Sequence, residues 1–264
     1  MLPFAVSKPV IGMLHLPALP GSPGQRSDMD EIREWVVRDA ETLVAGGVDG
    51  LMLENFGDTP FYPARVPAHT VAAMAVLARD VRTRFDVPLG INVLRNDGLS
   101  ALAIAAAVGA AYIRINVFTG ARLTDQGIVQ AEAHEVMRLR ALLAAPVQVF
   151  ADVAVKHSVP LGARNLEDEI EDTIHRAHAD AIVVSGSGTG KQTSLDDLRC
   201  ARAAAGATPV LVGSGARIAE LVEVLSYADG LIVGTALKEG AVTTRPVDAA
   251  RVREFLRAVA AARP

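Results

Sequence analysis

Polar side chains stand at or near the ends of six short apolar stretches of this sequence. They comprise a histidine, two carboxylates, three amides, an arginine and a serine: His15, Glu54, Asn55, Asn92, Arg114, Asn116, Asp152 and Ser185. Histidine and carboxylates act as general acids and bases, and arginine stabilises developing negative charge. Buried charges are costly unless they are paired or used. The pattern therefore predicts a functional site where these ends meet.

The chemistry that these residues could perform centres on two carboxylates. Asp152 or Glu54 is the expected general base, because a carboxylate near a cationic partner stays ionised. Lys156 and His157, just beyond Asp152, are expected to serve as an acid or as electrostatic stabilisers. The other interpretation of each residue is structural: Arg114, for example, could simply pair with Glu54 or Asp152 inside the protein. We expect the remaining polar residues to bind substrate, namely His15, Asn55, Asn92, Arg114 and Asn116.

Glycine-rich turns follow the last three apolar stretches. VGSGA (212–216) and IVGTALKEG (232–240) resemble loops whose backbone N–H groups bind a phosphate, since glycine lets the backbone approach an anion closely. SGSGTGK (185–191) precedes them and could contact the same ligand. The predicted phosphate-binding residues are Gly186, Thr189, Gly190, Gly213, Ser214, Gly215, Gly234 and Thr235.

The stretch VVSGSGTGKQTS (183–194) is not a nucleotide-binding P-loop. That motif requires a glycine, four residues and then Gly-Lys-Ser/Thr. Ser185 occupies the position of the first glycine, and Gln192 replaces the hydroxyl residue that would bind magnesium. We therefore expect no ATPase activity from this loop.

Short apolar segments alternate with alanine-rich helical segments along the whole chain. The predicted strands cover 10–16, 50–55, 88–94, 112–117, 147–153, 181–186, 209–215 and 230–234. The predicted helices cover 30–47, 69–85, 98–109, 130–143, 165–179, 194–206, 217–228 and 247–262. Near-continuous apolar strands are typical of parallel sheets covered on both faces. Eight such units predict a (β/α)8 barrel, with an open doubly wound sheet as the alternative.

Further expectations follow from this barrel. No break in composition divides residues 1–264, so we expect a single domain. Long insertions at 56–69 and 118–128 follow predicted strands. Loops in that position lie on the catalytic face of a barrel, where a phosphate commonly binds after strands seven and eight. The polar strand ends and the glycine loops should thus share one mouth.

The composition excludes several classes of protein. The 264 residues are 50% hydrophobic and carry a net charge of −4, which argues against binding to nucleic acid. A single cysteine allows no internal disulfide and suits a reducing compartment. We find no signal peptide and no integral membrane segment, and expect a cytoplasmic protein. A homo-oligomer is left open.

Long runs of the sequence resemble the BtpA/SgcQ family. They include VIGMLHLPALPGSP, GVDGLMLENFGDTPF, PLGINVLRNDG, RINVFTGARLTDQG, FADVAVKHSVPLG and GSGARIAELVEVLSYADGLIVGTALKEG. The resemblance implies a barrel of the ribulose-phosphate-binding type. It implies no single reaction: the cyanobacterial member is associated with accumulation of photosystem I, and the enterobacterial member lies among carbohydrate-metabolism proteins.

Two functions are therefore expected as alternatives. The first is an enzyme that acts on a small phosphorylated metabolite, a sugar phosphate or a nucleotide derivative, with a lyase or isomerase reaction suggested by analogy with the fold alone. The second is a non-enzymatic biogenesis factor that uses the barrel as a scaffold. A divalent metal is left open, because His15, Glu54, Asp152 and His157 could converge although their spacing is not diagnostic.

Overall fold

Eight parallel strands form a closed barrel in a computed structural model that describes residues 1–155, 157–186 and 193–263. The barrel strands are β1 (Val10–His15), β2 (Gly50–Glu54), β3 (Leu89–Asn92), β4 (Tyr112–Ile115), β7 (Gln148–Val153), β9 (Ala181–Val184), β10 (Val210–Val212) and β11 (Gly230–Val233). β1 pairs with both β2 and β11, which closes the sheet. The predicted (β/α)8 barrel is confirmed, and the open sheet is wrong.

Helices follow the barrel strands and cover their outer face. They are α1 (Met29–Gly46), α2 (Ala68–Arg84), α3 (Gly98–Val108), α4 (Ala133–Leu142), α5 (Leu166–Glu171), α6 (Leu195–Ala204), α7 (Leu221–Tyr227) and α8 (Ala249–Ala262). α5 continues as a π-helical turn (Asp172–Arg176), and a 3₁₀ turn (Ile218–Glu220) leads into α7. In the described part of the chain, no helix has the length and apolar character needed to cross a bilayer.

The lower barrel interior is filled by apolar and aromatic side chains. The Tyr112 and Phe150 rings stack with centroids 4.7 Å apart, and the Tyr112 hydroxyl donates to the Leu51 carbonyl at 2.6 Å. Gly90 makes this packing possible, because a Cβ there would lie 2.0 Å from the Tyr112 ring. The barrel interior at the amino ends of the strands is thus a packed core. The polar residues lie at the carboxyl ends of the strands, at the mouth.

A small antiparallel sheet covers part of the mouth, where the sequence predicted an irregular insertion. It comprises β5 (Ala121–Thr124), β6 (Gly127–Gln130) and β8 (Ser158–Pro160). Asn96 fixes its base through bonds to the backbone N–H and carbonyl of Val117. Arg122 bonds Ser158 within the sheet and connects the sheet to α5 through Glu169. The β5–β8 pairing joins segments more than thirty residues apart, so local patterns could not predict it.

A buried ion pair ties the segment after β11 to α1. Lys238 Nζ lies 2.6 Å from Asp39 Oδ2, and both side chains are almost fully buried. The other oxygen of Asp39 accepts the Val247 N–H at 2.8 Å. Burial lowers the pKa of Lys238, while the charge and hydrogen bond of Asp39 counteract that effect. The pair therefore fixes both ends of the 238–247 loop.

We expect Asp39→Ala to lower the free energy of unfolding by about 3–5 kcal/mol, because it leaves the Lys238 ammonium buried without a counter-charge. The double variant Asp39→Leu/Lys238→Met should recover most of that loss. Urea unfolding measures both. The control is Glu223→Ala, which removes an exposed partner of Arg199 and should cost less than about 1 kcal/mol. A loss for Asp39→Ala as small as the control's would contradict the structural role.

Candidate functional site

Four polar residues form one register row around half of the barrel mouth. His15 is the strand partner of Glu54, Glu54 of Asn92, and Asn92 of Arg114. Register partners on parallel strands point to the same face of the sheet. His15 Nε2 lies 3.7 Å from Glu54 Oε1. The four predicted residues are therefore neighbours.

Arg114 and Asp152 form a two-pronged ion pair beneath the mouth. Arg114 Nε lies 2.8 Å from Asp152 Oδ1, and Nη2 lies 2.9 Å from Oδ2. Asn116 Nδ2 donates to the same Oδ2 at 2.8 Å, and Arg114 Nη2 donates to Ser185 Oγ at 3.2 Å. The side-chain exposures are 2% for Arg114 and 0% for Asp152. Asp152 is thus surrounded by donors.

The electrostatic balance of Arg114 follows from this pairing. Burial alone lowers its pKa, but the charge and hydrogen bonds of Asp152, together with the charge of Glu54, outweigh burial. The net pKa of Arg114 is raised, so the guanidinium stays charged at any physiological pH. The mouth therefore holds a permanent, fixed cation.

The amides Asn55 and Asn92 hold backbone in place. Asn55 Oδ1 accepts the Leu94 N–H at 2.7 Å, while its Nδ2 donates to Asp58 at 3.1 Å. Asn92 Nδ2 donates to the Arg114 carbonyl at 2.9 Å. These bonds join the ends of neighbouring strands. Both side chains were expected to bind substrate. The hydrogen bonds observed for them go to protein groups and hold the strand ends in position.

A cavity of about 580 Å³ brings the predicted phosphate loops to the polar row. The predicted residues in its wall are His15, Glu54, Arg114, Gly213, Ser214, Gly215, Gly234 and Thr235. A 3₁₀ turn (Thr235–Leu237) follows Gly234. Gly186 lies apart from this cavity, and its N–H donates to Ser214 Oγ at 3.2 Å. Thr189 and Gly190 lie outside the described residues.

Two of these glycines make room for side chains of the site. A Cβ on Gly213 would lie 2.7 Å from Ser185 Oγ and 2.9 Å from Arg114 Nη2. A Cβ on Gly234 would lie 2.6 Å from His15 Cε1. The Gly213 N–H donates to the Val184 carbonyl at 2.8 Å. Gly213 therefore accommodates the Arg114 guanidinium and does not offer its N–H to a ligand.

Two arginines in this cavity were missed in the sequence. Arg217 follows the loop after β10, and Arg251 lies in the first turn of α8. Arg251 Nε donates to the Ala236 carbonyl at 2.9 Å, so the arginine is fixed against the 3₁₀ turn. Sequence position alone gave no signal, because a helical arginine is ordinarily solvated. The packing of α8 against the turn brings its charge to the cavity.

A second cavity, of about 310 Å³, adjoins the first and shares Glu54 and Arg114 with it. Asn116 and His157 also line it, whereas Lys156 lies outside the described residues. Asp152 lines neither cavity. Arg95, another residue missed in the sequence, contributes to its wall, and burial lowers the pKa of this arginine.

The sequence left a divalent metal open, and the described residues show no cluster of ligands for one. Among residues 1–155, 157–186 and 193–263, no three His, Cys, Asp or Glu side chains come together in a way that could hold a metal ion. The oxygens of Asp152 are occupied by Arg114 and Asn116. Among the described residues, His15 and Glu54 are neighbouring potential ligands, and no third His, Cys, Asp or Glu completes a metal site with them.

The family model described as the BtpA family matches residues 6–261. The chain belongs to the BtpA family. An uncharacterised protein of Thermococcus kodakarensis is 47% identical over 249 residues, covering 94% of each chain. The photosystem I biogenesis protein BtpA of Synechocystis is 44% identical over 257 residues, covering 97% of this chain and 90% of its own. The SgcQ protein of Escherichia coli is 33% identical over 257 residues, covering 96% and 94%.

Solved structures support the fold of this BtpA-family chain. The N-(5′-phosphoribosyl)anthranilate isomerase of Pyrococcus furiosus superposes with a TM-score of 0.59 at 15% identity, covering 96% of this chain and 99% of that one. The thiamine phosphate pyrophosphorylase of the same organism gives 0.56 at 14% identity, with coverages of 97% and 96%. At such identities the likeness concerns the barrel alone.

We expect Asp152→Asn to lower the free energy of unfolding by about 3 kcal/mol, because the buried Arg114 guanidinium loses its counter-charge. Urea denaturation measures the loss. Ser185→Ala removes a neutral acceptor of the same guanidinium and should cost about 1 kcal/mol. Equal stability of Asp152→Asn and the parent would show that Asp152 is not needed as the counter-ion.

Proposed function

We propose that this BtpA-family protein is an enzyme that acts on a small phosphorylated metabolite, a sugar phosphate or a nucleotide derivative, at the barrel mouth. One observation carries the proposal: a single cavity joins the glycine loops after β10 and β11 to Glu54 and Arg114. A phosphate in the loops would place the rest of the ligand against a carboxylate and a fixed cation.

The phosphate would bind at the end of the cavity that is lined by Ser214, Gly215 and Thr235. Gly215 has φ of +72°, a left-handed conformation that glycine adopts without strain. Arg217 and Arg251 supply positive charge at the same end. Arginine suits phosphate because its donors match two oxygens of the anion. Gly213 and Gly186, whose amides bond within the protein, take supporting roles.

Glu54, and not Asp152, would be the general base. Asp152 is enclosed by Arg114 and Asn116 and lines neither cavity, whereas Glu54 lines both. In the reaction we propose, Glu54 removes a proton from a carbon next to a carbonyl. Arg114 stabilises the negative charge that develops on the oxygen. If the α-carbon carries a hydroxyl, return of the proton to the former carbonyl carbon, with the hydroxyl proton passing to the enediolate oxygen, completes an isomerisation. If the β-carbon carries a leaving group, its departure with the bonding electrons completes a lyase reaction.

A scaffold function is the second candidate. It is favoured by the name of the Synechocystis relative, a photosystem I biogenesis protein that is 44% identical to this chain. An assembly factor would need the barrel surface and would not need the carboxylate of Glu54. The two candidates therefore differ in what a change at Glu54 does.

We expect Gly215→Asp to abolish thermal stabilisation by ribose 5-phosphate, because a carboxylate would occupy the proposed phosphate position and repel the anion. The measurement is the melting temperature with and without the ligand. Gly206→Asp is the matched control: Gly206 has φ of +55° but lies in the turn after α6, where a Cβ meets nothing within 4 Å. Equal stabilisation of Gly215→Asp and the parent would place the phosphate elsewhere.

We expect Glu54→Gln to slow turnover by about 100-fold or more while binding persists, because a general base typically contributes that much. Purified parent and variant are incubated with a cell extract, and phosphorylated metabolites are followed by mass spectrometry. Glu34→Gln, on exposed helix surface, is the control for loss of one carboxylate. Turnover by Glu54→Gln equal to the parent's would remove Glu54 from the mechanism. If the parent protein changes the level of no phosphorylated metabolite, the scaffold function is favoured.

A further inference from the structure

The second cavity is placed to receive the part of a substrate that lies beyond the phosphate. Its volume of about 310 Å³ opens from the same Glu54 and Arg114 that line the larger cavity. A ligand anchored in the loops after β10 and β11 can therefore extend past these two residues into it. Its wall indicates what chemical group would occupy it.

One side of this wall is apolar and aromatic. It is formed by Phe56 and Phe61, from the loop after β2, and by Leu94, after β3. Both phenyl rings are partly exposed, so they offer their surfaces to the cavity. The His15 ring contacts that of Phe56 at 4.9 Å between centroids, which holds Phe56 in place. Two of the seven phenylalanines in the chain thus line one small cavity, which favours a flat ligand that can stack.

The charges in the wall are matched by opposite charges nearby. The negative charges of Asp152, Asp125 and Glu54 interact favourably with the Arg95 guanidinium. Arg114 is paired with Asp152. A second phosphate or a carboxylate would disturb this balance, so the favoured occupant is uncharged.

One buried amide in the wall lacks a partner for its oxygen. Asn116 Nδ2 donates to Asp152, which fixes the orientation of the amide. Its Oδ1 has no hydrogen-bond partner within the described residues. Asn116 lines the second cavity. A ligand that donates an N–H there, with a small adjustment of the wall, would satisfy the oxygen.

We propose that the substrate joins its phosphate to an uncharged planar ring that carries an N–H donor, as in a phosphorylated ribosyl heterocycle, and that the second cavity binds this ring. The proposal rests on the phosphate site described under the proposed function. It narrows the substrate from any phosphorylated metabolite to one with a stacking ring. Phe61 and Asn116 become the residues that determine specificity.

The test uses isothermal titration calorimetry to compare the binding of ribose 5-phosphate, adenosine 5′-monophosphate and cytidine 5′-monophosphate. Adenosine and cytidine serve as the phosphate-free probes. We expect at least one monophosphate to bind about tenfold more tightly than ribose 5-phosphate, because stacking adds to phosphate binding. Phe61→Ala should remove that gain and leave the affinity for ribose 5-phosphate unchanged. Tyr62→Ala is the matched control, since Tyr62 is the exposed neighbour in sequence and does not line the cavity.

The outcomes separate this inference from the function on which it rests. If ribose 5-phosphate binds as tightly as both monophosphates, or if Phe61→Ala weakens all three probes equally, the ring site is wrong and the phosphate site stands. If Gly215→Asp has no effect but a nucleoside binds and Phe61→Ala abolishes its binding, the ring site stands and the phosphate site is wrong. If none of the five probes binds to the parent, both are overturned.

Discussion

The mouth of this barrel depends on a single buried ion pair, that of Arg114 with Asp152. The pair joins β4 to β7, and Ser185 extends it to the end of β9. An arginine buried to this degree is stable only with a counter-charge and satisfied donors. Asp152 meets that requirement, and Gly213 leaves the space for the guanidinium. The position of the cation at the centre of the site is thus set by the packing around it.

The segment after β11 is held by a separate ion pair on the opposite side of the barrel. Lys238 follows the 3₁₀ turn after β11, and its bond to Asp39 ties that segment to α1. Arg251 bonds the carbonyl of Ala236 within the same turn. Because the two ion pairs share no residue, the Arg114 guanidinium and the 3₁₀ turn after β11 are fixed independently. Their separation is therefore a property of the barrel and not of a bound ligand.

The fold could be predicted from the sequence because the signal was local. Strands that are buried on both faces, such as Ala181–Val184, are apolar throughout and are bounded by glycines and polar residues. The small sheet was missed because β5 and β8 pair across a long stretch of chain. Its strands are three and four residues long, too short for alternation to stand out.

The site could be predicted only as far as position along the strands allows. Glu54 and Asp152 both lie near the carboxyl ends of strands, and no sequence pattern distinguishes which of them would be the base. The choice depends on register and on which donors reach each carboxylate, and both are tertiary facts. Arg95, Arg217 and Arg251 were missed for the same reason, since a charged residue outside a strand is ordinarily solvated. Arg95 is buried by segments that are distant in sequence, and Arg251 is held at the cavity by the Ala236 carbonyl. Both are tertiary contacts that the local sequence does not indicate.

Asp152 and Glu54 differ in their surroundings, and the proposed function depends on that difference. The carboxylate oxygens of Asp152 accept hydrogen bonds from Arg114 and Asn116, which makes Asp152 a fixed counter-ion. Glu54, in the same register row as Arg114, lines both cavities. A catalytic cation works best when it needs no reorganisation as charge develops on the substrate. In the proposed reaction Arg114 would meet that condition, because Asp152 already holds the guanidinium in place. The counter-ion role of Asp152 would thereby support the proposed role of Glu54 as the base.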